Sequence, residues 1–251
     1  MIPLKSEKDL EMLKESGRIL AKIMKKLKEF IKEGVSTLEI DRLTEELVRR
    51  ENAIPAFKGY RGFPANVCTS INEEIVHGIP SDRRLKEGDI ISLDLGINYK
   101  GYFSDTAVTL PVGKIDSRVK KLIRVTREAL SEGIKKASIE NHVSDISYAI
   151  QSYVERYGFS VVRQFVGHGI GKDLHEEPEI PNFGRPHQGP LLKSGMVLAI
   201  EPMVNMGTWE SRILDNGWTA VTMDRMPSAH FEHTVAITER GPQILTRPFF
   251  A

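Results

Sequence analysis

The amino-acid sequence predicts an α+β fold made of two pseudo-symmetric halves, covering about 1–112 and 113–251. Segments with helical periodicity alternate with short apolar runs that are typical of strands. Two helical segments followed by strand-like runs occur twice along the chain, and short motifs recur in the same order in both copies. With 251 residues, 40% of them hydrophobic, the chain can bury a substantial core as one domain.

Composition and charge narrow the class of protein. The 35 basic and 34 acidic residues leave a net charge of +1, which gives no support for specific binding of nucleic acid. The single cysteine, Cys68, excludes an intrachain disulfide and fits a reducing compartment. The first residues contain no apolar leader, and no stretch approaches the roughly 20 apolar residues of a membrane span. We therefore expect a cytoplasmic protein with no membrane partner, and a monomer as the default state.

The first two helices are predicted from apolar spacing and capping signals. Residues 6–32 carry an apolar stripe at helical spacing, and Gly34 ends this helix. Ser36 with Glu39 forms a capping-box signal for a second helix that reaches about Arg50. The other face of the first helix carries several lysines, namely Lys22, Lys25, Lys26, Lys28 and Lys32. A solvated helix face is the favoured interpretation of these lysines, and a transient ribosome contact is the alternative.

The remaining elements are predicted in chain order. Residues 52–80 are irregular and rich in glycine, proline and aromatic side chains, and 89–109 form a hairpin. Two further helices are expected over 116–136 and 143–157. The expected elements of the last third are a strand-like run at 159–166, a turn at 167–171, a loop at 176–190, and strands at 196–204, 218–223 and 230–238.

The hairpin at 89–109 carries one aspartate in each of its two apolar strands, Asp94 and Asp105. If the turn is centred between Tyr99 and Lys100, these two residues lie directly opposite each other, with Cβ atoms roughly 4.5–5.5 Å apart. Two like charges on an apolar sheet are destabilising unless something neutralises them, and divalent cations are the simplest remedy. The alternative is that one aspartate faces solvent or caps a turn.

An internal repeat strengthens the interpretation of this site as a metal site. Leu85 to Asp94 resembles Leu192 to Glu201, at an offset of 107 residues. The matches pair ionisable residues in the same order, namely Asp94 with Glu201, Asp105 with Glu232, and His77 with His168. A pseudo-twofold fold would gather four carboxylates and two imidazoles in its centre. Buried carboxylates in that number require cations, so the repeat favours a metal centre.

The predicted ligand set indicates the class of metal and reaction. Carboxylates with imidazole suit Mn(II), Fe(II), Co(II) or Zn(II) rather than a structural zinc held by thiolates. Four carboxylates exceed the need of one ion, which favours a pair of ions about 3.5–4 Å apart. Such a pair bridges a water, holds it as hydroxide near neutral pH and polarises the bond under attack. Hydrolysis is therefore the predicted reaction class.

Two other sequence features suggest catalytic chemistry that the rest of the sequence does not support. His175-Glu176-Glu177 is not the zinc-protease motif His-Glu-x-x-His, because position 179 is Glu and the segment is not predicted to be helical. Cys68 would suit a thiol nucleophile, but no other feature supports that role. A small core or pocket-lining residue is the preferred interpretation of Cys68.

The acidic and histidine motifs resemble those of the methionine aminopeptidases. The stretches Tyr-Phe-Ser-Asp105-Thr-Ala, Gly-His168-Gly-Ile-Gly, Ile-Glu201-Pro-Met and Phe-Glu232-His-Thr, together with Asp94, match the five-ligand pattern of that family. Asn72 to Pro80 and Leu-His175-Glu-Glu-Pro match its other signature stretches. The resemblance covers nearly the whole chain and is to type I, the compact bacterial-like form. It implies a pita-bread fold, in which helices pack outside a curved antiparallel sheet.

The resemblance also implies an activity and residue roles. The implied activity is metal-dependent removal of the N-terminal methionine from nascent polypeptides, with preference for a small second residue, by a metal-bridging hydroxide. Asp94 would chelate one metal, Asp105 and Glu232 would bridge both, and His168 and Glu201 would bind the other. The implied cofactors are two divalent ions, of Co, Mn, Fe or Zn. The remaining implied residues are His77, His175 and Glu201 for catalysis, and Tyr60, Phe63, Cys68 and Trp218, with both histidines, for substrate binding.

Two positions depart from the family pattern, and two other functions compete. Leu174 stands where a bulky aromatic residue is expected, and His230 stands where the family usually has Gln. His230 would lie either behind the metal ligands or as an inert polar substitute. The rival enzyme is an X-Pro peptidase. Such enzymes share the fold and the five ligands, but they are longer and have an additional N-terminal domain. The rival of another class is a non-catalytic binding protein, which would typically have lost metal ligands.

Overall fold

The computed structural model describes residues 2–247, which form four α-helices, one short 3-10 helix and fifteen short or medium strands. The helices are α1 (Glu7–Phe30), α2 (Thr37–Arg50), α3 (Ser117–Lys136) and α4 (Val143–Arg156), and the 3-10 helix is Tyr60–Gly62. The strands of the first half are β1 (Ile54–Pro55), β2 (Cys68–Ile71), β3 (Glu74–Val76), β4 (Ile90–Tyr99) and β5 (Tyr102–Pro111). Those of the second half are β6 (Ser160–Val161), β7 (Gly167–Gly169), β8 (Glu176–Ile180), β9 (Val197–Ile200), β10 (Met203–Asn205), β11 (Ser211–Ile213), β12 (Ala220–Thr222), β13 (Ser228–His230), β14 (His233–Thr238) and β15 (Gly241–Ile244).

The helices begin where their capping signals predict. The Ser6 hydroxyl accepts a hydrogen bond from the Asp9 amide, and the Asp9 carboxylate accepts one from the Ser6 amide. Ser36 and Glu39 form the same reciprocal pair at the start of α2. Each pair satisfies two amides that have no partner inside the helix, and an N-cap of this kind contributes about 1 kcal/mol.

Two antiparallel sheets carry the residues of interest. In the first, β4 pairs with β1, β2 and β5, and the second has the order β15-β14-β9-β7-β8. The sheets meet where β5 lies against the start of β14. There the Asp105 amide donates to Thr234 Oγ1 at 2.9 Å, and the Glu232 amide donates to the Ala107 carbonyl at 3.0 Å. The two halves of the chain thus join through hydrogen bonds at their acidic strands.

Each half has its own apolar core under its own pair of helices. Helices α1 and α2 bury Leu20, Leu27 and Ile40 against Leu93 and Leu95 of β4. The core of the second half joins α3 and α4 to β9 through Leu122, Val125, Ile146, Ile150, Leu198 and Ile200. A fully buried Leu or Ile side chain contributes roughly 1.5–3 kcal/mol, so these layers hold the helices on the sheets.

The predicted turn at 167–171 and loop at 176–190 are partly wrong. Gly167–Gly169 forms strand β7, in which His168 pairs with Ala199 of β9. Glu176–Ile180 forms strand β8, which pairs with β7. Because β8 is the last strand of its sheet, Pro178 removes no hydrogen bond to a further strand, so a proline-containing segment is tolerated there. The predicted strand at 159–166 is also too long, since only Ser160–Val161 is extended and paired.

The predicted register of the acidic hairpin is wrong by two residues. Asp94 lies opposite Ala107, and Asp105 lies opposite Gly96. The cause is the turn, whose two central residues are Lys100 and Gly101 with φ of 52° and 83°. Positive φ at both central residues is the geometry of a tight type I′ hairpin turn. A shift of two residues keeps the face, so both aspartates still point to one side of the sheet as diagonal neighbours.

The sequence repeat aligns His77 with His168, but these two residues do not occupy equivalent positions in the sheets of the two halves. If Asp94 of β4 is matched with Glu201 after β9, the partner of Ser92 on β2 is Ser70, whereas the partner of Ala199 on β7 is His168. Ser70 therefore occupies the place of His168 in the first half. His77 follows β3 instead, with a left-handed backbone at φ 59°. The shared letters His-Gly-Ile reflect different positions in the two halves.

Helix α1 packs closely against the chain segment that follows β15, which gives a test of stability. A Cβ placed on Gly17 would lie 2.5 Å from the Leu245 carbonyl oxygen, and a backbone atom cannot move aside easily. We expect Gly17→Ala to lower the free energy of unfolding by about 1–3 kcal/mol, although alanine gains about 1 kcal/mol in helix propensity. Gly133→Ala in α3 is the matched control, because its Cβ would meet side-chain atoms of Ile150 and Ile146 rather than backbone. Urea unfolding of both variants measures the difference, and an unchanged or increased stability of Gly17→Ala would contradict the expectation.

Candidate active site

Every residue that the sequence assigns to metal, substrate or catalysis lines one cavity of about 180 Å³. The predicted metal ligands on its wall are Asp94, Asp105, His168, Glu201 and Glu232. The other predicted residues on its wall are Tyr60, Phe63, Cys68, His77, His175 and Trp218. Phe57 and Arg61 also line the cavity and were missed, because neither belongs to a motif and both lie in the stretch predicted to be irregular.

The four carboxylates reach the cavity from strands and strand ends. Asp94 and Asp105 come from the hairpin β4–β5. Glu201 stands directly after β9, and Glu232 stands in the break between β13 and β14. One ligand atom each of Asp105, His168 and Glu232 lies within 4.8 Å of the others, which is a spacing that a metal ion could close. The β5–β14 junction therefore brings carboxylates from both halves together.

The electrostatics of the carboxyl groups fit divalent cations. Burial raises the pKa of Asp94 to about 7, and burial together with the neighbouring carboxylates raises the pKa of Asp105 and Glu232 well above its usual value. Buried oxygens of Asp94 (Oδ1) and Glu232 (Oε1) have no hydrogen-bond partner in the protein. Unpartnered buried oxygens beside an imidazole are the donor set that Mn(II), Fe(II), Co(II) and Zn(II) accept.

The backbone next to His168 fixes the orientation and the tautomer of its imidazole ring. Its Nδ1 lies 2.9 Å from the Gly169 carbonyl oxygen, which can only accept, so Nδ1 carries the proton and donates. Nε2 is then the unprotonated nitrogen, and it lies 3.6 Å from Glu201 Oε1. Burial lowers the pKa of His168 to about 4, so the ring is neutral at neutral pH. A carbonyl behind the ring that fixes the tautomer is a common arrangement for ligating histidines.

His175 and His77 both line the cavity but have different neighbours, which are polar for His175 and aromatic for His77. His175 Nδ1 lies 2.7 Å from the Tyr60 hydroxyl, and its ring centre lies 4.2 Å from that of His168. His77 packs at right angles to Phe165 and Trp218, with ring centres 5.4 and 6.3 Å away. Burial lowers the pKa of His175 to about 3 and that of His77 to about 4. Both imidazoles are therefore neutral and keep one N–H donor each.

The rest of the cavity wall is apolar and soft. Phe63 meets Trp218 edge to face, with ring centres 5.2 Å apart, and Cys68 and Leu174 are buried beside them. Burial raises the pKa of the Cys68 thiol well above its usual value, which is the opposite of what a thiolate nucleophile needs. Leu174, which stands where the family pattern has an aromatic residue, is buried and lines this wall as an aliphatic side chain.

Comparison with known proteins identifies the family. The sequence profile of metallopeptidase family M24 matches residues 11–239. The chain belongs to this family. Two curated M24 relatives are a methionine aminopeptidase 1 of Bacillus subtilis, 53% identical over 98% of this chain and 100% of its own length, and a methionine aminopeptidase of Clostridium perfringens, 52% identical over 98% and 99%.

Solved structures agree with the M24 assignment and confirm the predicted fold. The methionine aminopeptidase of Thermotoga maritima superposes with a TM-score of 0.97 at 45% identity, covering 98% of this chain and 100% of its own. The prolidase of Pyrococcus horikoshii, at 24% identity, shares the fold alone, with a TM-score of 0.80. This chain covers only 63% of that prolidase. The α+β pita-bread fold that the family resemblance implied is thus confirmed for this chain.

His230 of this M24 chain lies directly behind Glu201. Its side chain is 1% exposed, neither ring nitrogen has a hydrogen-bond partner, and Nε2 lies 3.5 Å from Glu201 Oε2. Of the two interpretations from sequence, this geometry favours a place behind the metal ligands.

Across residues 2–247, one other group with ligand spacing occurs, formed by His142, Asp145 and His187 at the start of α4 and outside the cavity. None of the helices in the same range is both long and apolar enough to cross a membrane.

Proposed function

We propose that this chain is a methionine aminopeptidase that removes the N-terminal methionine from nascent polypeptides and prefers a small second residue. The observation that carries the proposal is the buried group of carboxylates and His168 at the wall of a small, apolar cavity. The names of its relatives support the same activity. The whole chain would act as one catalytic domain, as a monomer in the cytoplasm, and the lysine face of α1 would allow a transient ribosome contact.

Five residues would hold two divalent ions. Asp94 would bind one ion, His168 and Glu201 the other, and Asp105 and Glu232 both. When bound, such ions polarise a carbonyl and lower the pKa of water, which supplies the Lewis-acid chemistry of peptide hydrolysis. The proposal of two ions rests on charge, since the buried Asp94, Asp105 and Glu232 together with Glu201, whose side chain is 13% exposed, carry more negative charge than one divalent ion balances. Cobalt, manganese, iron and zinc all suit these ligands, and availability selects among them.

The apolar wall would bind the methionine side chain. A flexible, polarisable thioether fits an irregular cavity of about 180 Å³ lined by Phe63, Trp218 and Cys68. Sulfur at the edge of an aromatic ring adds about 0.3–1.5 kcal/mol of attraction. The free α-amine of the substrate would then point towards the carboxylates, which restricts the enzyme to chain ends.

The polar residues have separate tasks in the proposed reaction. The Tyr60 hydroxyl lies 2.7 Å from His175 Nδ1. In the proposed tautomer this hydroxyl donates to Nδ1, so the proton of neutral His175 is on Nε2, from which it would donate to the developing oxyanion. Glu201, whose pKa burial raises well above its usual value, takes the proton of the attacking water on a carboxylate oxygen. It passes that proton to the leaving nitrogen, which His77 contacts from its place beside Trp218.

An assay on metal-stripped protein tests the proposed function. Mn(II), Co(II), Fe(II) and Zn(II) are restored separately, and the substrates are Met-Ala-Ser, Met-Lys-Ser and Ala-Pro-Gly. We expect metal-dependent release of methionine from Met-Ala-Ser alone. Cleavage of Ala-Pro-Gly instead would move the chain to the X-Pro peptidases. Inactivity on all three peptides with metal bound would favour the alternative that the chain is a non-catalytic binding protein.

A further inference from the structure

We infer that an ion pair between Lys5 and Glu176, outside the cavity, positions His175 for catalysis. The inference rests on the proposed function, because it assigns His175 to the oxyanion. Neither Lys5 nor Glu176 lines the cavity, so neither touches the substrate. They are positioning residues.

The burial of this pair is the first observation. The Lys5 ammonium contacts the Glu176 carboxylate, and the two side chains are only 5% and 7% exposed. Within residues 2–247, every other ion pair formed by Lys or Arg includes a side chain that is 43% exposed or more. Exposed pairs contribute little, whereas removing one partner of a buried pair leaves an uncompensated charge.

The second observation is what Glu176 holds. Its Oε1 accepts hydrogen bonds from the amides of Lys172 and Asp173, at 2.8 and 3.3 Å, while Oε2 receives the Lys5 ammonium. The carboxylate therefore closes the segment 172–176 into a tight loop, and His175 stands inside it. Because Glu176 is the next residue after His175, any shift of its carboxylate moves the backbone that carries the imidazole.

The third observation is how Lys5 is itself fixed. Its amide donates to the Gly195 carbonyl at 2.7 Å, next to β9. Its side chain then crosses Gly171, where a Cβ would lie 2.2 Å from Lys5 Cε, so only glycine leaves room for the lysine stem. The Gly171 carbonyl in turn accepts from the Phe103 amide of β5 at 2.8 Å. The ammonium is thus delivered to Glu176 from a rigid position between both halves.

These contacts connect the pair to the reaction by a short route. The imidazole of His175 has its Nδ1 at the Tyr60 hydroxyl and its ring against His168, so its remaining freedom lies in the backbone. Misplacement of a catalytic group by about 1 Å can cost roughly 10²-fold in rate. An uncompensated Glu176 carboxylate would leave its buried position, and His175 would move with it.

Lys5→Met tests the inference, because it keeps the apolar stem and removes the charge. We expect kcat for Met-Ala-Ser to fall roughly 10- to 100-fold, with KM changed less than about threefold and bound metal unchanged. Lys8→Met makes the same change at an exposed position of α1 and should leave all three quantities unchanged. A loss of metal, or a kcat within twofold of the wild type, would overturn the inference.

Two double variants separate positioning from a general structural role. In a His175→Ala background, Lys5→Met should cause no further loss of kcat, because its effect passes through the removed imidazole. Multiplicative losses would overturn the inference. Adding Glu176→Gln to Lys5→Met removes the unpaired charge and keeps an oxygen for the two amides, so kcat should recover several-fold. If Lys5→Met alone fails to fold, this double variant replaces it in the comparison with the wild type. An unrecovered kcat with intact folding would count against the inference. Wild-type turnover separates the proposals, since its absence overturns the proposed function and this inference with it, whereas its presence leaves only the Lys5 result to decide.

Discussion

Replacing Asp105 by Asn is expected to reduce turnover of Met-Ala-Ser by roughly 10²–10³-fold or more and to lower the bound metal below that of the wild type. The physical reason is that Asp105, with His168 and Glu232, forms the group whose ligand atoms lie within 4.8 Å of one another. An amide keeps the shape of the side chain but loses the negative charge and one anionic donor oxygen. Lewis-acid activation contributes several kcal/mol, and each 1.4 kcal/mol is a factor of about ten in rate.

Two measurements make the Asp105→Asn result specific. Metal analysis after dialysis measures the number of ions bound, and Asp82→Asn, the same change at an exposed position, should leave both metal and turnover unchanged. Because Asp105 is buried beside other carboxyls that disfavour its charge, the metal-free variant should melt no lower than the metal-free wild type. Full activity with two ions bound would contradict the assignment of Asp105 as a ligand.

Replacing His175 by Ala is expected to reduce kcat roughly 10²–10³-fold while bound metal stays near the wild-type value. Its ring nitrogens face the Tyr60 hydroxyl and the cavity, and its proposed task is to donate one hydrogen bond to the oxyanion, a loss of the size known for such donors. His77→Ala should also lower kcat without loss of metal. Loss of metal in either variant would contradict the assigned roles.

Tyr60→Phe serves as the matched control for the His175 prediction. It removes only the hydroxyl that lies 2.7 Å from His175 Nδ1, so the imidazole remains but loses the partner that would fix its tautomer. We expect a loss of kcat smaller than that of His175→Ala, with bound metal unchanged. A larger loss for Tyr60→Phe than for His175→Ala would indicate that the hydroxyl itself acts on the substrate.

The sequence predicts the acidic residues of the candidate site because charged residues inside apolar strands can be recognised without a structure. Asp94 and Asp105 stand out in apolar strands, and the repeat adds Glu201 and Glu232. Helix starts were equally readable, since Ser36 and Glu39 carry the whole capping signal in four residues. Such features depend on local chemistry alone.

The hairpin register, strand β7 and the position of Arg61 depend on tertiary contacts, which cannot be read from the sequence of the segment itself. The hairpin register followed from positive φ at Lys100, a residue with no special preference for it. Gly167–Gly169 is a strand because β8 and β9 pair with it on both sides, although its glycines have low strand propensity. Arg61 reached the cavity through a 3-10 turn that no motif marks. The prediction failed where a neighbour, rather than the segment itself, sets the conformation.

The junction between β5 and β14 has a consequence for how a new chain matures. Its hydrogen bonds join residues that are 125 to 129 positions apart in the chain, namely Ala107 with Glu232 and Asp105 with Thr234. The chain must lose the entropy of closing a loop of that length before the contacts contribute any stabilising free energy, so we expect these contacts to form late in folding. Synthesis of the chain must also pass position 232 before the last carboxylate exists. We therefore expect the candidate site to be completed late in folding, so that a partly folded chain would lack part of its ligand set.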